Sequence, residues 1–213
     1  MADFNFHAKR PLALRLWHWL NAAVIVALLA TVLLRDELVG VREHRAMIQQ
    51  KLASLGVTVT LDQAKAVARL YLEQLWDWHV DLGLALAGLL LVRLVIAFTA
   101  PTGLLAELRR AASAAKLEPS ARRFALVKAS HVAFFAVLTL IVGTGLVLAY
   151  SKSLGIPDPV RHEVGEVHES LMYAILAFIA AHVVGVIRAE KTSEPGLVSE
   201  MIHGGEGRGP GTT

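Results

Sequence analysis

Four stretches of the chain carry apolar residues almost without interruption, and polar residues, proline and charge collect between them. They run roughly from Leu12 to Leu34, Trp78 to Ala100, Ala129 to Tyr150 and Val167 to Arg188. Each is long enough to cross about 30 Å of hydrocarbon at about 1.5 Å of helix rise per residue. Backbone in lipid has to satisfy its own hydrogen bonds, so runs of this length are expected to be transmembrane helices.

The polar intervals have patterns of their own. Val41 to Leu55 shows helical periodicity that ends at Gly56. Thr60 and Gln63 then form a capping box ahead of a second amphipathic run, Leu61 to Leu75, that leads into the second span. The expected fold is all-α: an integral membrane four-helix bundle with two short helices in the first extracytoplasmic loop, residues 35–77, and a cytoplasmic tail, residues 189–213. The loop helices would either cap the bundle or dock another subunit.

Composition strengthens the membrane reading. With 213 residues, 55% hydrophobic and 18% charged, and a mean hydropathy of +0.53, the chain is too apolar for a soluble domain of its size. Charge then sets the orientation. The connection from Pro101 to Lys128 carries six basic residues (Arg109, Arg110, Lys116, Arg122, Arg123 and Lys128), whereas the connection from Ser151 to Glu166 carries two. Positive-inside bias places both termini and the second connection in the cytoplasm. The first loop balances six basic residues against six acidic ones and says little. The first span follows Lys9, Arg10 and Arg15 as a signal peptide would, but it is too long and lacks a small-x-small cleavage site, so it is expected to be retained. The expected location is the bacterial inner membrane. The pI of about 9.4 reflects this anchoring and not nucleic-acid binding.

The chain has no cysteine. Covalent haem attachment through C-x-x-C-H, iron–sulfur clusters bound in this chain and disulfides are thereby excluded. Redox chemistry here needs a non-covalent cofactor.

Candidate chemistry lies in the histidines. Of nine, His7, His44, His162 and His203 fall in polar flanks and loops and are expected to be solvated. The other five belong to the spans. His168 and His182 are fourteen residues apart, close to four helical turns, so both rings leave one face of the fourth span about 21 Å apart along its axis. With the N-terminus inside, His18 opens the first span near the cytoplasmic face, within Arg15-Leu-Trp-His-Trp19. His79 opens the second span near the outer face, within Trp76-Asp-Trp-His79. Depths match in pairs: His18 with His182 inside, His79 with His168 outside.

An ionisable side chain in hydrocarbon is costly, which makes an intramembrane histidine a functional-site candidate, although any single one can equally be a hydrogen-bonded structural residue. Two depth-matched pairs favour coordination, because a metal offers the imidazole lone pair a partner that lipid does not. Ligation of a haem iron by two histidines leaves no position open for oxygen and suits electron transfer.

Small residues occur beside these histidines: Gly83, Ala85, Ala87 and Gly88 on the second span, Gly143 and Gly145 on the third, and Ala174, Ala177, Ala180 and Ala181 on the fourth. They allow close helix packing or the approach of a flat macrocycle, and both readings stand. Trp17, Trp19, Trp76 and Trp78 suit interfacial anchoring better than cofactor contact. His131, at the cytoplasmic start of the third span, has no depth-matched partner and is a candidate for a supporting or quinone-site role. Lys128, three residues earlier on the same face, and Arg93, near the inner end of the second span, are candidates to meet a haem propionate, quinone or lipid phosphate; snorkelling of Arg93 to the interface is an equal alternative.

Together, Arg15-Leu-Trp-His-Trp19, the pair His168 and His182, and the closing segment from Arg188-Ala-Glu190 through Ser199-Glu-Met-Ile-His-Gly204 resemble the prokaryotic cytochrome b561-like family. That family includes the membrane b-type subunits of nickel–iron hydrogenase and formate dehydrogenase. The resemblance covers spans one, two and four well and span three loosely. It implies two haem b groups with axial ligands falling on His18, His79, His168 and His182, and quinone chemistry near the cytoplasmic haem. One departure is the first loop, which is longer than in compact members and leaves the partner open.

The function expected from the residues and the resemblance is that of a di-haem b-type cytochrome. It would transfer electrons across the membrane between a redox partner, an extracytoplasmic subunit or carrier protein, and the quinone pool. Two alternatives stay open. One is a zinc or copper transport protein built on the histidines, for which membrane-depth thiolates and carboxylates are scarce, Asp81 and Glu169 being the nearby carboxylates. The other is a plain membrane anchor, which does not need paired histidines.

Overall fold

The computed structural model describes residues 11–35, 41–99, 119–192 and 195–204. Among them are six helices and no strand: α1 (Leu12–Leu33), α2 (Val41–Ser54), α3 (Leu61–Thr99), α4 (Pro119–Ala149), α5 (Asp158–Thr192) and α6 (Leu197–His203). Four of these, α1, α3, α4 and α5, are long and apolar enough to cross a membrane. They are the helices the apolar pattern predicts.

Helices run past the edges of the apolar stretches. The amphipathic run from Leu61 does not stop before the second span but continues into it as the single 39-residue α3, because no glycine or proline interrupts the chain between Leu61 and Gly83. In the same way α4 begins at Pro119, with proline at the N-terminus where its missing N–H costs nothing, and α5 begins at Asp158. Arg109, Arg110 and Lys116, three of the residues that set the expected orientation, lie outside the described residues, as do His7, Ala100 and the end of the tail.

Local signals set the ends that are visible. α2 stops in a Schellman turn: Gly56 has φ +79°, and the Val57 and Gly56 amides donate to the Leu52 and Ala53 carbonyls at 2.9 and 3.0 Å. Only glycine takes this left-handed backbone without strain. The capping box at the start of α3 forms in both directions, with the Thr60 amide donating to Gln63 Oε1 at 2.8 Å and the Gln63 amide donating to Thr60 Oγ1 at 3.2 Å.

Packing divides the chain into two compact units, Met1–Leu20 with Gly88–Thr213, and Asn21–Ala87. In the larger, α4 packs along α5, and Leu90, Leu138 and Ile175 are buried. In the smaller, Val24, Ile25, Ala64, Ala68 and Leu86 are buried together with the polar Asn21 and Thr31. Large apolar side chains elsewhere on the spans stay uncovered, among them Leu91 at 63%, Leu126 at 64% and Val184 at 64% exposure. For a soluble protein such surfaces would cause aggregation; facing acyl chains they need no cover.

The short α6 is folded back onto the larger unit by polar contacts. Beyond the apolar stretch of α5, the Glu190 carboxylate accepts the amides of Gly196 at 2.8 Å and Val198 at 3.0 Å. The Val198 and Gly196 amides hold its carboxyl below the usual carboxylate range. A lowered carboxyl pKa means that this attachment is complete at neutral pH and is lost as pH falls through the lowered value. The Trp19 indole N–H donates to the Met201 carbonyl at 3.1 Å. Gly204, with φ +90°, sits against the Arg15 guanidinium where a Cβ would collide with it.

The capping box gives a direct check on the start of α3. Thr60→Ala removes one of its two hydrogen bonds and should destabilise that terminus by about 1 kcal/mol. Hydrogen exchange of the first-turn amides, the Gln63 amide above all, should speed up accordingly while exchange in α4 and α5 stays unchanged.

Candidate cofactor sites

Within the larger unit, His18 on α1 and His182 on α5 come together with ring centres 6.3 Å apart and planes inclined at 55°. Two imidazoles joined to one metal by nitrogen–metal bonds of about 2 Å put their ring centres roughly 6 Å apart. The observed spacing fits a single metal centre held between these two rings.

A row of aromatic side chains extends from that pair. His182 stacks on Phe178, one turn earlier on α5, at 5.9 Å and 12°. Phe178 stacks on Phe134 of α4 at 4.4 Å, Phe134 meets Phe135 edge-on at 5.7 Å, and Trp17 lies tilted against Phe135 at 6.1 Å. The Trp17 indole N–H is occupied by the Leu89 carbonyl at 3.0 Å. Arg93 closes the row, its guanidinium carbon 5.8 Å from the Trp17 ring centre and 5.6 Å from that of Phe135. The negative faces of the rings attract the cation. Its Nε is buried with no hydrogen-bond partner among the described residues. A buried donor in that state suits a carboxylate or carbonyl of a bound cofactor.

In the smaller unit, His79 on α3 carries a hydrogen bond between Nδ1 and Thr31 Oγ1 of α1 at 2.8 Å. Its ring stacks on Trp76 at 5.1 Å and 8°, and the Arg35 guanidinium lies over the Trp76 ring at 4.8 Å. In the larger unit, His168 on α5 repeats the arrangement with a residue of α4: its Nδ1 is 2.9 Å from Thr144 Oγ1. Gly145 lets the His168 ring lie against α4, since a Cβ there would stand 3.0 Å from His168 Cε1. By contrast, a Cβ at Gly83, Gly88 or Gly143 would meet open space. Of the four, only Gly145 is small because a histidine needs the room.

The remaining candidates fall into place around these. His131 donates Nδ1–H to the Val127 carbonyl of its own helix at 2.6 Å. Lys128 is half-buried on the same face of α4. His162 is exposed and pairs with Glu166 at 3.3 Å, and His203 is exposed at the end of α6; the side chain of His44 lies outside the described residues. Among the described residues no group of three or more His, Cys, Asp or Glu gathers to hold a metal ion.

A family model for prokaryotic cytochrome b561 matches residues 9–204. The chain belongs to the prokaryotic cytochrome b561 family. Neither the curated proteins nor the solved structures yield a match. As a member of this family the cytochrome is a bacterial membrane protein that binds haem b and carries electrons. The residues present fit that cofactor: a bis-imidazole pair at metal-bridging distance, a cation with a buried unpaired donor and aromatic faces beside them.

Some of the cytochrome's site residues are not apparent from histidine spacing alone. Thr31, Thr144, Gly145 and the phenylalanines Phe134, Phe135 and Phe178 are of this kind. A signal for the two threonines does exist. Thr31 follows His18 by thirteen residues and Thr144 follows His131 by thirteen, about 20 Å of helix rise, which brings a hydroxyl in each span to the depth expected of His79 and His168.

Gly145→Leu tests whether the contact with His168 matters to the cytochrome. The added side chain has to displace the imidazole, and haem b per chain, measured by pyridine haemochrome, should fall. Gly143→Ala, whose Cβ points into open space, should leave the haem content unchanged.

Proposed function

We propose that this cytochrome is a di-haem electron carrier that connects a redox partner on the outer side of the membrane with the quinone pool. His18 and His182 are the axial ligands of one haem b, and His79 and His168 are those of the other. The spacing of His18 and His182 carries the proposal: two histidines from helices far apart in sequence meet at a separation suited to one metal. The His79–His168 pairing rests on the depths expected from the sequence alone: His168 is about 21 Å along α5 from His182, and His79 opens the second span on the side expected to face outward.

When bound, haem iron supplies a one-electron couple. Everything else is the work of the chain. The paired imidazoles would hold each haem iron from two sides and so would keep oxygen from it. The unbroken α5, with His168 and His182 about 21 Å apart along its axis, spaces the two centres without moving parts. Apolar side chains on the four spans exclude water and lower the dielectric around the path.

Arg93 offers its guanidinium to a propionate of the haem held by His18 and His182. His131 and Lys128, on the same side, contribute to a quinone site, with Lys128 supplying charge and His131 a proton donor or acceptor. Both termini are cytoplasmic in this reading, which puts Arg93, Lys128 and His131 toward the cytoplasm.

Reduced-minus-oxidised spectra of the purified protein, with haem quantified per chain, test the proposal. Two haem b per polypeptide are expected, with two resolvable midpoint potentials. His18→Ala and His182→Ala should each abolish the same haem, and His79→Ala and His168→Ala the other. One haem per chain, or loss of a common haem in His18→Ala and His79→Ala, would sink it.

A further inference from the structure

The hydrogen bonds at His79 and His168 share a feature that goes beyond ligation. A threonine hydroxyl has one proton. That of Thr31 is given to the Leu28 carbonyl of its own helix at 2.7 Å, and a carbonyl can only accept. The short contact from Thr31 Oγ1 to His79 Nδ1 therefore runs the other way, with Nδ1–H donating to the oxygen. Thr144 is in the same position. Its hydroxyl proton is taken by the carbonyls of Leu140 and Ile141 at 2.9 and 3.0 Å, so His168 Nδ1–H donates to Thr144 Oγ1.

Both neutral imidazoles are consequently held as the tautomer with hydrogen on Nδ1 and the lone pair on Nε2. We infer that Thr31 and Thr144 are positioning residues that select Nε2 of His79 and of His168 as the nitrogen presented to the haem iron, and that they raise its basicity. This inference rests on the reading of His79 and His168 as axial ligands.

The physical case has three parts. Without a partner on Nδ1, an imidazole in an apolar environment can adopt either tautomer and rotate; with one, the ligating nitrogen and the ring plane are specified together. Each ring is also held on a second side, His79 by the Trp76 face and His168 by the gap at Gly145. Finally, an acceptor on Nδ1–H pushes electron density toward Nε2, which favours the oxidised over the reduced metal and lowers the potential. Back-bonding to a helix carbonyl costs a spanning helix little, because it also satisfies the hydroxyl in lipid.

The test replaces the hydroxyl by a methyl group of nearly the same shape. Thr31→Val and Thr144→Val, and Thr31→Ser and Thr144→Ser as rescue variants, are compared with the wild type in detergent or nanodiscs. Haem loss to excess apomyoglobin and midpoint potential in a spectroelectrochemical titration are the readouts. Each valine variant should lose one haem faster, by about tenfold, at the lower end of the range for removal of such supporting hydrogen bonds, and that haem should titrate at a higher potential. Serine should restore both properties.

Valine variants that keep wild-type retention and potential overturn the inference, and so do serine variants that fail as valine does, since packing and not the hydroxyl would then be responsible. The underlying reading fails separately. If His79→Ala and His168→Ala retain both haems, these residues are not ligands. If the two valine variants alter different haems, the hydroxyl role stands and the His79–His168 pairing is wrong.

Discussion

An imidazole inside hydrocarbon carries two nitrogens, and neither has water to turn to. Much of the arrangement of this cytochrome follows from that requirement. On the Nδ1 side, His79, His168 and His131 each meet an oxygen within hydrogen-bond distance: Thr31, Thr144 and the Val127 carbonyl respectively. Those oxygens come from neighbouring helices in two cases and from the residue's own helix in the third. In the proposed reading, a haem iron would take the Nε2 lone pair of His79 and of His168, so that metal binding and polar satisfaction in lipid would coincide.

The same economy applies to the cations. Arg93 lies on the faces of Trp17 and Phe135, and Arg35 lies on Trp76, which in turn stacks on His79. Aromatic faces tolerate charge where carboxylates would be expensive to bury, and the buried Nε of Arg93 has no hydrogen-bond partner among the described residues. At the other extreme α6, which is too short to hold by helix propensity alone, is secured through the Glu190 carboxylate, the Trp19 indole and the close approach of Gly204 to Arg15.

How far these features can be read from residue order depends on the range of the interaction. The Thr60–Gln63 capping box and the Gly56 terminus are contacts over three to five residues, and both form as the pattern implies. Spans are legible because lipid imposes one length and one polarity on any helix that crosses it. Helix ends beyond the lipid are less so: the polar starts of α4 and α5 and the junction of the loop helix with α3 have no membrane boundary to mark them, and helix simply continues until a breaker appears. The partners of Trp17 and Trp19 were no more accessible, since a tryptophan at an interface looks the same whether its N–H meets a lipid headgroup or the Leu89 or Met201 carbonyl.

By itself, the sequence determined the membrane class, the number of spans and the candidate axial histidines, because helical rise and the cost of burying imidazole in hydrocarbon act on each helix alone. Family membership followed from motifs on the same helices. Only the tertiary structure decided that His18 and His182 approach to 6.3 Å, that threonine hydroxyls meet Nδ1 of His79 and His168, and that Gly145 alone among the four glycines compared gives way to a histidine. These depend on how neighbouring helices are rotated about their axes. Lipid does not set that rotation, because one apolar face suits it as well as another; side-chain packing and polar pairing between helices do.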